Sequence, residues 1–158
     1  MTLWSAIVGG IIGTLVLTTL LRGASELGLT RMDIAFLLGT TVTTNRRKAK
    51  AIGYAVHFAI GIVIAIGYAA AFAVIGRATW WIGGLLGVLH AVFMSMVVVN
   101  VLLPVVHPRM ATPDTAANDV ALIEPPGFLM LNYGRNTFLI TVAAHAAYGA
   151  IVGMLVRV

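Results

Sequence analysis

Four long apolar segments, separated by polar stretches, form the dominant pattern of this chain. They cover about residues 3–21, 52–75, 80–105 and 137–156. A helix needs about 20 consecutive apolar residues to cross the hydrocarbon core of a bilayer, and each segment is near or above that length. All five acidic residues lie between the segments, and none of the ten basic residues lies within one. The pattern predicts an all-α integral membrane protein, a four-helix antiparallel bundle forming a single transmembrane domain over residues 1–158.

The composition agrees with a membrane protein and restricts its chemistry. Hydrophobic residues make up 60% of the chain and charged residues 9%, against about 25% charged residues in soluble domains. The chain has no cysteine, which excludes disulfides and thiolate metal sites. The first apolar segment has no basic stretch before it and no small-residue cleavage site, so we expect a retained span rather than a signal peptide.

The basic residues predict the orientation in the membrane. Eight of them lie in the loops 22–51 and 106–136, whereas Arg77 and Arg157 lie on the opposite side. Because Lys and Arg accumulate on the cytoplasmic side, we expect both loops in the cytoplasm and both termini on the outer face of a bacterial cytoplasmic membrane. Trp residues prefer the membrane interfaces, and all three would then lie at the outer one. Membrane lipids account for the net charge of +5, so we expect no nucleic acid partner.

The first loop contains a short apolar turn and a basic cluster. Thr30 followed by Asp33 has the spacing of a capping box and predicts a helix through residues 34–38, too short to cross the membrane and therefore interfacial. Four basic residues come next and are predicted to contact anionic lipid headgroups: Arg46, Arg47, Lys48 and Lys50.

Short connections and small residues predict how the helices pack. The turn at residues 76–79 is tight, so we expect the second and third spans to be antiparallel neighbours. Glycines recur at the four-residue spacing that permits close helix contact in membranes. The pairs are Gly9 and Gly13, Gly83 and Gly87, and Gly149 and Gly153, with Gly61 as a single notch on the second span.

The second loop is rich in proline and ends in an apolar stretch, Glu124 to Tyr133. Pro125 and Pro126 restrict its backbone, which lowers the entropy lost on ordering. We expect this stretch to dock on the cytoplasmic end of the bundle and to control access to its interior. Its predicted neighbours are residues 36–38 and 54–57.

Histidines within the spans are the strongest candidates for chemistry, because ionisable groups inside a membrane are costly and usually face the bundle interior. Helical spacing places the candidate ligand-binding residues on inward faces: Tyr54, His57, His90, His145 and Tyr148. At 1.5 Å per residue, His57 and His145 lie about 8 and 12 Å from the cytoplasmic boundary and His90 about 21 Å from it. We therefore expect His57 and His145 to share a layer and His90 to lie nearer the outer side.

These histidines leave several chemistries open. His57 and His145 are the pair that could ligate a divalent metal or a haem, since imidazole serves both. No paired metal-binding motif such as HExxH is present. The alternatives are structural hydrogen bonds, and a role for the three histidines in a path for protons or polar ligands.

Several short sequence motifs resemble those of small four-span bacterial membrane proteins that have no assigned activity. They are Leu29-Thr-Arg-Met-Asp33, Phe36-Leu-Leu-Gly39, Gly53-Tyr-Ala-Val-His-Phe58, His107-Pro-Arg-Met110 and Glu124-Pro-Pro-Gly-Phe-Leu-Met-Leu-Asn-Tyr-Gly134. The resemblance implies the four-span fold and a membrane location, and carries no catalytic residue.

The sequence favours a non-enzymatic membrane protein that binds a lipid or another lipophilic ligand, or that is an accessory subunit of a membrane complex or a homo-oligomer. The alternative is a haem- or metal-binding protein that uses the intramembrane histidines. A third hypothesis is a small transporter with a polar path lined by histidines.

Overall fold

The computed structural model describes residues 2–111 and 123–158 and is helical, as predicted. Four helices are long and apolar enough to cross a membrane, which indicates a multi-pass membrane protein. They are α1 (Leu3–Glu26), α3 (Arg46–Ile75), α4 (Trp80–Val106) and α5 (Thr137–Leu155). A short helix, α2 (Ile34–Gly39), follows α1, and a 3₁₀ segment (Phe128–Tyr133) precedes α5. The middle of the second predicted loop, with Asp114 and Asp119, lies outside the described residues.

The two ends of the bundle differ in character. Both chain termini lie together at one end, since the Thr2 amide donates to the carbonyl of Arg157 (3.3 Å). We call this the terminal end. Trp4, Trp80 and Trp81 are exposed at this end, as the aromatic belt of a membrane protein requires. The opposite end, the loop end, carries α2, the 3₁₀ segment and the start of α3.

The helix boundaries follow local capping chemistry. Helix α1 ends where Gly28 adopts the left-handed φ of +71°, a conformation that glycine enters without steric cost. The predicted capping box is wrong in detail, because Asp33 itself caps α2 and accepts from the Phe36 amide (2.9 Å). Helix α3 begins six residues earlier than the predicted span, since Asn45 caps it by accepting from the Lys48 amide (3.0 Å).

Helix α4 changes its hydrogen-bonding pattern along its length. It is α-helical from Trp80 to Phe93, π-helical from Met94 to Leu102 and α-helical again to Val106. Pro104 is the second residue after the π-helix. A proline lacks the amide donor and its ring meets the carbonyl four residues earlier, so a wider turn before it relieves the clash.

The spans pack in the spatial order α4, α5, α1 and α3. Helix α4 lies along α5, α5 along α1, and α1 along α3, while the backbones of α3 and α4 make almost no contact. Helices α3 and α4 are antiparallel neighbours, as the tight turn predicts, but they meet through side chains such as Tyr68 and His90 rather than along their backbones. The glycine pairs of α4 and α5 let the backbones of these two helices approach more closely than α4 could approach α3. They therefore make α5, rather than α3, the close packing partner of α4.

Glycines set the contact between α4 and α5. A Cβ atom on Gly83 would overlap the carbonyl of Gly149, one on Gly149 would overlap the carbonyl of Gly83, and one on Gly87 would overlap the carbonyl of His145. Gly153 meets the backbone of Thr79 in the same way. The prediction of close contacts at these glycines is confirmed, and no other residue fits there.

Substituting Gly149 by Ala should destabilise the bundle by about 1–3 kcal/mol, because the added methyl group forces α5 away from α4. Gly67→Ala is the matched control, since a Cβ there meets nothing within 4 Å, and alanine improves helix propensity. Thermal unfolding in detergent micelles measures the difference. Equal melting temperatures for the two variants would contradict the close contact.

Candidate functional site: an intramembrane histidine cavity

A cavity of about 130 Å³ lies among the helices, and all three intramembrane histidines line it. We call it the histidine cavity. Its remaining wall is almost entirely apolar, with contributions from every span, from α2 and from the 3₁₀ segment. Its polar lining residues are Thr14 of α1, His57 of α3, His90 of α4, and Thr141, His145 and Tyr148 of α5.

His145 and His90 are in direct contact. Their ring centroids are 5.1 Å apart and the planes are nearly perpendicular at 88°, a favourable edge-to-face geometry. His145 Nδ1 donates to the carbonyl of Thr141 (2.8 Å). This bond fixes the tautomer, so that Nε2 of the neutral ring is an acceptor.

The predicted position of His90 is therefore wrong. Gly87, one turn before His90, lies against the backbone of His145, so the register of α4 on α5 brings the two imidazoles together. The depth estimate took the end of α4 near Pro104 and the start of α5 at Thr137 to lie at one boundary. The register of Gly87 on His145 shows instead that α4 extends well beyond the start of α5, so the count from Pro104 placed His90 too far from the loop end.

His57 lies in the same layer as the other two histidines. Its Nδ1 atom is 3.2 Å from the Thr18 hydroxyl of α1. Gly13, little more than one turn before Thr18, lies against Tyr148 of α5. The layer shared by His57 and His145 agrees with the sequence prediction, and His90 is a third member of it.

Of the two tyrosines predicted to bind a ligand, one lies beside the cavity and the other does not. Tyr148 is buried beside the cavity and donates to the carbonyl of Gly61 (2.6 Å). Tyr54 does not line the cavity, because it lies nearer the loop end, where its hydroxyl accepts from Arg22 (2.8 Å). A residue that the sequence analysis did not select, Tyr68, reaches His90 Nδ1 (3.3 Å) and bridges α3 to α4.

Two threonines carry the most informative polar atoms. The Thr14 and Thr141 hydroxyls are buried, and neither has a hydrogen-bond partner in the described part of the chain. Thr141 lies one turn before His145 and shares the inward face predicted for that histidine, whereas nothing in the sequence analysis selected Thr14. The sequence did carry a signal for Thr14, because Thr14 and Thr18 are separated by about one helical turn within an apolar span.

The geometry does not favour a metal or a haem. Among the described residues, no three His, Asp or Glu side chains are placed to hold one ion, whereas protein zinc sites use three or four protein ligands. At about 130 Å³, the cavity is smaller than the ~300 Å³ at which pockets for drug-sized ligands begin.

Met130 of the 3₁₀ segment closes the loop end of the cavity. It is 1% exposed and packs with Met32, Val99 and Tyr133. Leu129 and Met130 both adopt left-handed backbone angles, with φ of 51° and 59°, each costing about 1–2 kcal/mol in a residue with a side chain. The expected docking of this stretch is confirmed, although Phe128 and Leu131 are exposed rather than buried.

Contacts with the start of α2 hold the 3₁₀ segment in this conformation. The Arg31 amide donates to the carbonyl of Tyr133 (2.7 Å), and the Arg31 side chain pairs with Glu124 (3.1 Å). The Tyr133 hydroxyl donates to the carbonyl of Glu124 (2.7 Å). Burial and the neighbouring Glu124 carboxylate raise the pKa of Tyr133 to about 12, so this donor stays protonated at neutral pH.

The basic cluster lies on the first turns of α3 and is partly engaged within the protein. Lys50 pairs with Asp33 (2.7 Å), and Arg46 lies over the ring of Phe36 (5.8 Å). Arg47 and Lys48 are exposed. Lys50 therefore contributes to anchoring α2 as well as to the surface charge.

No protein-family model matches this chain, and neither the curated proteins nor the solved structures include a significant match to it.

Replacing Met130 by Asp should release the 3₁₀ segment, because a carboxylate cannot be buried without a partner at this position. Phe128→Asp is the matched control, since Phe128 is 56% exposed. Hydrogen exchange at the amides of Met130, Asn132 and Gly134, which donate within the segment, should accelerate by more than about tenfold in the first variant alone. Acceleration in the Phe128 variant alone would show that the segment docks through Phe128 instead, and equal acceleration in both would contradict docking through Met130 alone.

Proposed function

We propose that this protein binds a lipophilic molecule within the membrane, with a polar end group of that molecule in the histidine cavity. The observation that carries the proposal is the cluster of three histidines, His57, His90 and His145, in a wall that is otherwise mostly apolar. His145 Nδ1 donates to the carbonyl of Thr141, so Nε2 of the neutral ring is an acceptor. A ligand with a hydroxyl or amine end group would donate to such a nitrogen and leave the apolar wall in contact with its carbon atoms.

The size of the cavity limits what it can hold. Its volume of about 130 Å³ is comparable to an engineered cavity of about 150 Å³ that binds benzene. The space suits one ring or a short chain segment rather than a whole lipid. The rest of a larger ligand must therefore leave the bundle.

A route for the remainder of the ligand lies between α3 and α4. The backbones of these helices make almost no contact, and both contribute lining residues. Ile60, on the α3 side, is 42% exposed. The Tyr68–His90 hydrogen bond closes this side toward the terminal end, and Met130 closes the loop end. These contacts favour entry from the hydrocarbon core of the bilayer.

The variant His145→Phe tests the proposal, because phenylalanine keeps an aromatic ring in the wall and removes the ring nitrogens. We expect the variant to lose most of the lipophilic ligand that the wild-type protein retains through purification, as measured by native mass spectrometry. Thermal unfolding of the variant in detergent checks that it remains folded. Thr19→Val is the control, because the Thr19 hydroxyl is exposed and donates to the carbonyl of Leu15.

Equal ligand retention in the wild type, His145→Phe and Thr19→Val would place the ligand outside the cavity. A wild-type protein that retains no lipophilic molecule, and binds none when it is added, would overturn the proposed function.

The proposed location is a bacterial cytoplasmic membrane, with the loop end in the cytoplasm and both termini on the outer face. The support is the charge asymmetry: the exposed basic residues Arg47 and Lys48 lie at the loop end, where anionic headgroups would contact them. Arg46, and Lys50 beside Asp33, add to the same surface.

Single cysteines in this cysteine-free chain test the orientation. A cysteine at Ala78, at the terminal end, should react with an impermeant thiol reagent in intact cells. A cysteine at Thr44, at the loop end, should react only after the membrane is opened. The reverse labelling pattern would invert the proposed topology.

A further inference from the structure

We infer that a second site, at the loop end between α1, α2 and α3, binds a phospholipid whose headgroup carries a primary amine, as in phosphatidylethanolamine. The site has two parts, a polar pocket of about 90 Å³ and a groove of about 390 Å³ that continues from it. Leu21, Met32 and Ile34 line both the polar pocket and the histidine cavity and form the wall between them. The inference therefore does not depend on what the histidine cavity binds.

Two ion pairs line the polar pocket. Within α1, Arg22 Nε donates to Glu26 (2.8 Å). Between α3 and the start of α2, Lys50 pairs with Asp33 (2.7 Å). The charges of these four side chains sum to zero. A zwitterionic headgroup finds a partner in this lining for each of its charges, whereas an anionic headgroup would meet two carboxylates with no cation of its own to offer them.

The phosphate of such a headgroup would lie at Arg22. The side chains of Arg22 and Glu26 are 56% and 63% exposed, and an exposed ion pair gains so little that a ligand can join it at little cost. A guanidinium has five N–H donors. Within the described chain, Arg22 donates from Nε to Glu26 and from Nη1 to the Tyr54 hydroxyl. Its other donors can bind phosphate oxygens in the forked geometry that arginine offers.

The amine would lie at Glu26. Both oxygens of Asp33 are engaged, Oδ1 by the Phe36 amide (2.9 Å) and Oδ2 by Lys50 (2.7 Å). The bond from Arg22 reaches only Oε1 of Glu26, so Oε2 can accept from a headgroup N–H. A primary ammonium has three such donors, and the quaternary ammonium of phosphatidylcholine has none. The pocket should therefore distinguish two headgroups that carry the same charges.

The groove leads from the polar pocket toward the hydrocarbon core of the bilayer. It shares Arg22, Glu26 and Tyr54 with the pocket and runs between α1 and α3 to Leu15 and Phe58. Leu15 is 56% exposed and lies about two helical turns further from the loop end than Arg22. An acyl chain attached to a headgroup in the pocket would follow this groove. Pocket and groove together select a membrane lipid rather than a free zwitterion.

Two phospholipids with identical acyl chains test the headgroup. Dioleoylphosphatidylethanolamine and dioleoylphosphatidylcholine are added in turn to delipidated protein in detergent, and native mass spectrometry measures the fraction with one lipid bound. We expect the ethanolamine lipid to bind at least about fivefold more tightly. Glu26→Gln should lose most of this preference, because it removes the carboxylate charge. Glu124→Gln is the matched control, since that carboxylate pairs with Arg31 outside the pocket.

Gly23→Leu tests the groove. Gly23 lines the groove, and a Cβ atom there would meet nothing within 4 Å, so a leucine side chain would fold without strain and fill space that the acyl chain needs. We expect both lipids to bind at least about fivefold more weakly, as the loss of apolar contact predicts. Gly67→Leu is the control, since Gly67 is equally open and lies outside the groove.

Equal binding of the two lipids by the wild type, or a preference that survives in Glu26→Gln, would overturn the headgroup assignment. Tighter binding of dioleoylphosphatidylglycerol than of the ethanolamine lipid would also overturn it, because surface charge would then select the lipid. Unchanged binding by Gly23→Leu would overturn the groove.

His145→Phe separates this inference from the proposed function. The variant should keep the ethanolamine preference, because His145 does not line the polar pocket or the groove. Loss of the preference in this variant would move the lipid to the histidine cavity and overturn the second site. A kept preference, together with no other lipophilic molecule bound by the wild type, would overturn the proposed function alone.

Discussion

The close contact between α4 and α5 is the constraint on which the rest of the structure depends. Gly83 and Gly149 bring the two backbones within reach of each other, and Gly87 does the same against His145. Helices in lipid gain no hydrophobic energy by associating, so backbone proximity and packing must hold them together. This contact fixes the axial register of α4, and the register brings His90 to His145. It also leaves α3 paired with α1, which creates the opening between α3 and α4.

The histidine cavity is the place where the polar groups of this bundle are incompletely satisfied. Elsewhere in the described interior, polar side chains are paired, as Tyr148 is with the carbonyl of Gly61 and His57 with Thr18. Inside a membrane no water is available to hydrogen-bond an unpaired polar group, so each such group costs folding free energy. Thr14 and Thr141 carry the buried hydroxyls without partners in the described part of the chain, and both residues border the histidine cavity. The three histidines in its wall distinguish the cavity from a packing defect, which apolar residues alone would line.

The loop end shows how a strained segment is kept in place. Leu129 and Met130 hold left-handed backbone angles, and residues in such conformations persist only where their surroundings over-determine them. Here the surroundings are the hydrogen bond from the Arg31 amide to Tyr133, the exposed Arg31–Glu124 pair and the burial of Met130. The exposed ion pair contributes little by itself. The burial of Met130 is therefore the main compensation, and it closes the cavity toward the loop end.

The sequence by itself determined the four spans, the interfacial α2 and the glycines at close helix contacts, because each depends on local composition and helical spacing. It also identified His57, His145 and Tyr148, since ionisable and polar groups in a span turn inward. The tertiary structure alone decided which helices are close packing partners, that His90 joins the histidine layer, and that Tyr54 lies outside it. Those outcomes depend on the axial register between distant segments. A count along one helix cannot supply that register, because it is set by where the backbones of two helices touch.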